Sequence, residues 1–307
     1  MKIKNVKAFP INIEPNPTTK ARVEKDPKGG DFVTPMARYT TDRPGRSWAA
    51  NWERVACVVT AEDGTWGLGL SAASGPVSSI INDHFSELLV GLNPMSTEKL
   101  WDMMRRASAA HGTAGLNSYA ISAVDNAIWD LKGKLIGQPV YELLGGPVKD
   151  QIFCYASNTG LQYKTSDYID WFMELGFKAV KVFLRYGPED GISGLNKNIE
   201  IVQRTREQIG PDMELAVDAW MSLNVEYSVR ISEALRPYNI KWLEDYTLPE
   251  DMDSYTKIRS RVPAQILATG EHWYTIHPFA EAAGRGLVDI LQPDCLLYTS
   301  PSPRDRG

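Results

Sequence analysis

Apolar runs of strand length that end in a carboxylate recur three times in the second half of the chain. The carboxylates are Asp218, Glu244 and Glu271, and they lie 26 and then 27 residues apart. The segments between the runs have helical character, so the pattern predicts strand, helix, strand, helix, strand. Parallel strands end at the same edge of their sheet, so we expect the three carboxylates to lie together.

Three like charges at one edge repel each other unless a cation lies between them. Hard oxygen ligands favour Mg²⁺, and the pattern therefore predicts a magnesium site held by Asp218, Glu244 and Glu271. The alternative for each residue alone is a helix N-cap, because a carboxylate that follows a strand often caps the next helix. The repeated spacing favours the metal site.

Strand and helix patterns alternate from Gln151 onward, which predicts right-handed crossovers and a parallel sheet, either doubly wound or a (β/α) barrel. Candidate ligands at the carboxyl ends of successive strands favour the barrel, whose active sites lie at that end. No strand is followed by a glycine-rich phosphate-binding fingerprint. The predicted strands cover 152–156, 178–184, 214–218, 240–244, 265–270 and 287–293.

The first part of the chain predicts an α+β domain. It contains a strand, a hairpin with an Asp-Gly turn and three helical patterns, the third with a continuous apolar face. Residues 15–50 have no clear period and predict either a lid over a site or a plain surface loop. A join rich in glycine and proline follows the helices, so we place a domain boundary near residue 140, between domains 1–140 and 141–296.

Composition and charge indicate which kinds of partner and which cellular compartment to expect. The 307 residues are 43% hydrophobic and 23% charged, with a net charge of −5, which disfavours nucleic acid and anionic membrane surfaces as partners. Three cysteines, Cys57, Cys154 and Cys295, favour a reducing compartment over a disulfide framework. With neither a secretory signal nor a stretch of transmembrane length, the expectation is a cytoplasmic protein.

The ordered Asp, Glu, Glu at successive strand ends resembles the enolase superfamily. The run 123–131 and the join 137–146 resemble its mandelate racemase branch, and the surrounding sequence is similar to acid-sugar dehydratases of the L-rhamnonate dehydratase type. The resemblance covers the chain up to about Leu296. It implies an α+β capping domain, then a TIM-type (β/α) barrel of which about six strands are present.

The resemblance also implies roles for individual residues. Lys181 matches a lysine beside the substrate carboxylate, and Asp294 matches the aspartate that orients a histidine on the next strand to form the general base. From the residues alone, Lys181 would be a solvated charge and Asp294 an N-cap. Phe183 stands where many members carry a second, basic lysine, which disfavours two-base racemisation and cycloisomerisation.

Three residues are candidates for binding the substrate: His272, Arg46 and Arg185. His272 directly follows Glu271, and Arg46 matches an arginine that meets the substrate in the resembled type; the alternative for both is a surface position. Asp31 stands where the resembled type has a substrate-contacting histidine. A carboxylate repels an acid sugar, so this difference disfavours L-rhamnonate itself.

Residues 297–307 lack periodicity and are interpreted as a non-native tail, with two strand-helix units of the family barrel missing. The function hypothesis is a Mg²⁺-dependent acid-sugar dehydratase, which removes the proton next to the carboxylate and then water. The alternatives are an acid-sugar racemase or epimerase of the same superfamily, or an inactive truncated fragment. The chain as given is itself expected to be inactive and unstable, because it ends before the histidine that Asp294 would orient. A small-molecule acid sugar is the expected partner, and the family implies a homo-oligomer.

Overall fold

The computed structural model describes residues 1–12, 32–39, 52–157 and 165–296. Arg46, Asp31 and the predicted tail 297–307 lie outside these residues. Among the described residues, no helix is long and apolar enough to cross a membrane.

The first part of the structure is a three-stranded antiparallel sheet covered by helices. Strands β1 (Ile3–Ile11), β2 (Arg54–Ala61) and β3 (Trp66–Ser71) pair in that order. Buried and exposed residues alternate along β3, as expected for a sheet with one covered face. The helices are α1 (Ser74–Ile80), α2 (Ser86–Leu89), α3 (Thr97–Ser108), α4 (Leu116–Ile136) and α5 (Val140–Leu143).

Helix α4 lies directly on β3 because two glycines of the strand have no side chain to keep it away. A Cβ at Gly69 would come within 1.9 Å of the Ala123 carbonyl oxygen, and one at Gly67 within 2.0 Å of the Ala127 oxygen. The buried face of α4, which includes Val124, Ile128 and Leu131, completes the core of this layer. The apolar face predicted for this helix is therefore confirmed.

One predicted helix is divided in the structure. A wider π-helical turn, Ile81–Phe85, separates α1 from α2. Asn82 in this turn bonds to strand β1: its amide donates to the Ala8 carbonyl oxygen (2.9 Å) and accepts from the Ala8 N–H (2.8 Å). The turn therefore anchors the helical layer to the edge of the sheet.

The second part is a six-stranded, wholly parallel sheet whose strands pair in chain order. Its edges, among the described residues, are its first and last strands. The strands are β4 (Ala156–Ser157), β5 (Ala179–Phe183), β6 (Glu214–Asp218), β7 (Leu243–Glu244), β8 (Leu267–Thr269) and β9 (Ile290–Leu291). The helices are α6 (Thr165–Glu174), α7 (Gly191–Ile209), α8 (Val225–Leu235), α9 (Met252–Arg261) and α10 (Ile276–Gly284). The predicted alternation of strands and helices is confirmed.

Hydrogen bonds join the two parts at the segment after β9. Ser122 and Asn126 of α4 both donate to the carbonyl oxygen of Cys295, the latter at 2.7 Å. Ser71 donates to the Leu296 oxygen at 2.6 Å. At the carboxyl end of the sheet, the N–H of Val33 donates to the Leu184 oxygen at 2.8 Å, which places the described segment 32–39 beside the end of β5.

Candidate active site

The carboxyl ends of β5, β6 and β7 place one lysine and two carboxylates together. In the sheet register, Phe183 is opposite Asp218, and Asp218 is opposite Glu244. Side chains two residues apart on a strand point to the same face, so Lys181 shares the face of Phe183. Lys181, Asp218 and Glu244 are at most 4% exposed, and we call them the lysine cluster.

The ammonium group of Lys181 lies between the two carboxylates. Its Nζ is 2.5 Å from Glu244 Oε1 and 2.9 Å from Asp218 Oδ2. Burial by itself would lower the pKa of Lys181, but Asp218 and Glu244 outweigh it and raise the pKa above its ordinary value. Lys181 is therefore a buried lysine whose charged form two carboxylates favour, contrary to its alternative as a solvated surface charge.

One positive charge does not balance this part of the sheet. Burial raises the pKa of Asp218 well above its ordinary value, and the nearby charges of Glu244 and Asp245 raise it further although Lys181 opposes them. A carboxyl group with a raised pKa favours taking up positive charge. When both carboxyl groups are ionised, two carboxylates and one ammonium group leave one negative charge unbalanced, which a cation would relieve.

A second set of ligand atoms lies at the ends of β7 and β8, in Asp245, Glu271 and His272. The potential ligand atoms of these three residues all lie within 4.8 Å of one another, and we call them the histidine cluster. His272 Nδ1 is 2.8 Å from Asp245 Oδ2 and 3.5 Å from Glu271 Oε1. Thr269 donates to Asp245 Oδ1 at 2.6 Å, so both oxygens of the buried Asp245 are held.

The charges of the histidine cluster depend on one another. Burial raises the pKa of Glu271, and Asp245 raises it further. Burial would lower the pKa of His272, but the hydrogen bond and the charge of Asp245 reverse this and raise the pKa. The carboxylate of Asp245 thus faces Nδ1 of the His272 imidazole. This leaves Nε2 of the same ring for another partner.

The three predicted metal ligands lie at one end of the sheet, but they contact different side chains and fall into two clusters. Asp218 and Glu244 belong to the lysine cluster, whereas Glu271 belongs to the histidine cluster. The donor set suits a hard divalent cation, because it consists of carboxylate oxygens with a surplus of negative charge. That Asp218, Glu244 and Glu271 share one ion stays a prediction.

The backbone at this end of the sheet is unusual. Trp220, Met221 and Asp245 have φ angles of 42°, 66° and 42°, in the left-handed region that residues other than glycine rarely adopt. Such conformations cost about 1 to 3 kcal/mol each and concentrate at functional sites. They are held here by hydrogen bonds, among them one from the Met221 N–H to the Asp245 carbonyl oxygen (2.5 Å).

Aromatic rings form one wall of the site. Phe32 contacts Phe183 (5.3 Å between ring centroids) and Trp220 (4.9 Å). Trp220 in turn contacts the His272 ring (5.7 Å). Phe183 therefore contributes an apolar surface beside Lys181, whose Nζ is 5.3 Å from its ring centroid.

The remaining predicted site residues have different surroundings. Arg185 follows β5, and its backbone N–H donates to Asn198 Oδ1 (3.0 Å). Asp294 follows β9, and its Oδ1 accepts the N–H of Leu296 (2.8 Å) in a local turn. No hydrogen bond or ion pair within the described ranges joins Asp294 to either cluster, so its catalytic role stays a prediction, as does that of Arg46.

Two residues of the site were not among those predicted. Asp245 directly follows the predicted ligand Glu244, and this pair of adjacent carboxylates at a strand end was the available signal. Trp242 donates from its indole nitrogen to Glu244 Oε2 at 2.7 Å. Its position two residues before Glu244 was the available signal for that contact.

Two families match the chain. The family described as "Mandelate racemase / muconate lactonizing enzyme, N-terminal domain" matches residues 49–145. The family described as "Enolase C-terminal domain-like" matches residues 167–297.

Similar proteins include dehydratases and a racemase. An L-rhamnonate dehydratase of Saccharopolyspora erythraea is 42% identical over 265 residues, which are 85% of this chain and 66% of that protein. The chain thus spans about two thirds of the length of this relative. The crystal structure of rhamnonate dehydratase from Gibberella zeae complexed with Mg is 32% identical, with a TM-score of 0.84, covering 96% of this chain and 72% of that one. A racemase from Streptomyces coelicolor A3(2) with bound magnesium is 26% identical, with a TM-score of 0.78, covering 97% and 77%.

Proposed function

This chain belongs to the enolase superfamily, and on that premise we propose that it is a Mg²⁺-dependent dehydratase of acid sugars, L-rhamnonate-like aldonates. Its six-stranded parallel sheet is the incomplete counterpart of the family's TIM-type barrel. The observation that carries the proposal is the lysine cluster, where one ammonium group lies between two buried carboxylates with a surplus of negative charge. An anionic substrate needs positive charge at such a place, and a divalent cation provides it.

Asp218, Glu244 and Glu271 would hold the metal ion. When bound, Mg²⁺ supplies Lewis-acid stabilisation of the negative charge that develops on the substrate carboxylate. The Mg-complexed rhamnonate dehydratase of Gibberella zeae supports the choice of magnesium as the ion. The donor chemistry of the three residues supports it independently.

The other site residues would bind the substrate and move protons. Lys181 would pair with the substrate carboxylate, His272 and Arg185 would contact the substrate, and Arg46 would contact its carboxylate or its hydroxyl groups. Dehydration removes a proton from the carbon next to the carboxylate and hydroxide from the adjacent carbon. Water leaves, and the resulting enol becomes a 2-keto-3-deoxy acid. Asp294 would orient the general base.

Epimerisation or racemisation of an acid sugar is the second candidate. The similarity to the racemase of Streptomyces coelicolor favours it. Phe183 argues against it, because inversion by two bases needs an ionisable group on each side of the reacting carbon and a phenyl ring cannot exchange a proton. The dehydratase is therefore preferred.

The wider assignments are proposals of the same kind. We infer two domains that meet near residue 140, a homo-oligomeric assembly and a cytoplasmic location. A small-molecule acid sugar would be the partner, without nucleic acid or membrane, in line with the net charge of −5.

A panel of aldonates in D₂O, with Mg²⁺ and with EDTA, tests the proposal on a full-length homologous protein, and the same panel on this chain tests whether it is inactive. The expected result is Mg²⁺-dependent formation of a 2-keto-3-deoxy acid, detected by NMR. Deuterium incorporation next to the carboxylate without loss of water would favour the epimerase. A folded chain that binds Mg²⁺ and forms no product would favour the alternative of a non-catalytic fragment, and turnover that persists in EDTA would refute a metal-dependent reaction.

A further inference from the structure

Trp242 directly precedes β7, and its indole reaches the side of the chain on which the carboxylate of Glu244 lies. Side chains alternate along a strand, so Leu243 between them points the other way, where it is fully buried in the core. The indole of Trp242 therefore lies one layer below the carboxylate of Glu244, on the side away from the carboxyl end of the sheet.

Both oxygens of the Glu244 carboxylate are held, each by a different donor. Oε1 accepts from Lys181 Nζ at 2.5 Å, and Oε2 accepts from the Trp242 indole nitrogen at 2.7 Å. The side chain is 0% exposed, so the indole takes the place of solvent at Oε2. An indole N–H can only donate, and a carboxylate oxygen has two lone pairs. The Trp242 bond can therefore persist while Glu244 binds a cation.

The indole is itself fixed. The ring of Tyr155 meets it edge to face, with 5.3 Å between centroids and an interplanar angle of 78°. The backbone carbonyl of Trp242 accepts the N–H of Val217 at 3.1 Å, which holds the residue against β6. The indole thus approaches Glu244 from a direction set by the sheet and by a neighbouring ring.

We propose that Trp242 is a positioning residue whose indole N–H fixes the carboxylate of Glu244 in the orientation that binds the divalent cation. The inference rests on the proposed function, because it takes Glu244 as a metal ligand. Groups that hydrogen-bond to ligating side chains orient them, and their loss typically weakens metal binding about 10- to 100-fold. Trp242→Phe removes the N–H and keeps an aromatic ring, so its Mg²⁺ dissociation constant should rise by about that factor.

Calorimetric titration of the full chain with Mg²⁺ provides the test. The variants are Trp242→Phe, Glu244→Gln and the double variant. The matched control is Trp171→Phe, a tryptophan that is 37% exposed on α6. We expect weaker binding in both site variants and unchanged binding in the control. The effect of Trp242→Phe should be smaller in the Glu244→Gln background, because the ligand charge that the indole orients is already gone.

The outcomes separate this inference from the proposed function. If Glu244→Gln weakens Mg²⁺ binding and Trp242→Phe does not, the positioning role is wrong and the metal site stands. If neither weakens binding, Glu244 is not a ligand and both are wrong.

A second measurement does not depend on the folding of a variant. The indole N–H of Trp242 can be assigned by NMR in the wild-type chain. When Mg²⁺ is added, its chemical shift should stay away from that of a solvent-exposed indole, and its proton should stay protected from exchange with solvent. Loss of that protection in the loaded chain would overturn the inference.

Discussion

The ammonium group of Lys181 is the positive charge nearest to two buried carboxylates, and its removal tests the electrostatics of the site. Lys181→Met keeps most of the length of the side chain but deletes the charge that lies 2.9 Å from Asp218 and 2.5 Å from Glu244. Removing one partner of a buried ion pair costs about 3 to 5 kcal/mol, because the remaining charge is uncompensated. Lys181 is 4% exposed, so solvent screening does not reduce this figure much.

The loss should depend on pH. The pKa of Asp218 is already raised in the folded chain relative to its ordinary value of 3.8, and the variant should raise it further. A raised folded-state pKa contributes stability that is fully present below the unfolded-state pKa and is lost as the pH rises through the folded-state pKa. In EDTA, wild type and variant should lose this contribution alike as the pH rises from about 4 to 8, because the pKa of Asp218 is already raised to about 8 in wild type. The variant should become still less stable relative to wild type only above about pH 8, where its Asp218 keeps a proton that wild type has released.

Urea denaturation of the two chains in EDTA, at several pH values, measures the difference in the free energy of unfolding. Lys178→Met is the control, since Lys178 is exposed just before the same strand. Added Mg²⁺ should restore part of the stability of Lys181→Met, because the ion supplies the missing positive charge. A variant as stable as wild type in EDTA at pH 7 would show that the cluster does not need this cation.

Three further predictions concern other parts of the site and one surface. Asp245→Asn should lower the pKa of His272, because the carboxylate that raises it is lost; an NMR titration in EDTA that finds the pKa unchanged would contradict the pairing. Asn198→Asp should lower the free energy of unfolding by about 1 to 3 kcal/mol, because the Asn198 amide nitrogen donates to the Tyr186 oxygen (2.8 Å). It should also raise the KM, because the amide oxygen of Asn198 accepts the N–H of Arg185; equal stability and KM would refute it. Phe153→Lys should reduce the binding of a hydrophobic fluorescent dye without lowering the melting temperature, because Phe153 is 67% exposed; unchanged dye fluorescence would place the dye elsewhere.

The predictable parts of the fold follow from local patterns. The strand-end carboxylates identified β6 and β7 because an apolar run and its final charge are contiguous in sequence. The division of the first helical pattern was not predictable, because the π-helical turn depends on the bonds of Asn82 to Ala8, 74 residues away. Strand β7 is also shorter than its pattern, with pairing recorded at Leu243–Glu244.

The site was predictable only in part, for the same reason. Strand-end spacing brings Asp218 and Glu244 to one place, and the structure has them there. The ammonium of Lys181 between them is a contact between side chains of different strands, which spacing along the chain does not encode. The bond from Trp242 to Glu244 was signalled by their two-residue spacing, but the donor role of the indole shows only in the structure. Asp245 was missed because its partners, Thr269 and His272, become neighbours only when β7 pairs with β8.

The most direct test of the account is a crystal structure of the chain with bound Mg²⁺. The account predicts one ion with carboxylate oxygens of Asp218, Glu244 and Glu271 at about 2.0 to 2.1 Å. An ion held by Asp245, Glu271 and His272, with Lys181 still between Asp218 and Glu244, would contradict it.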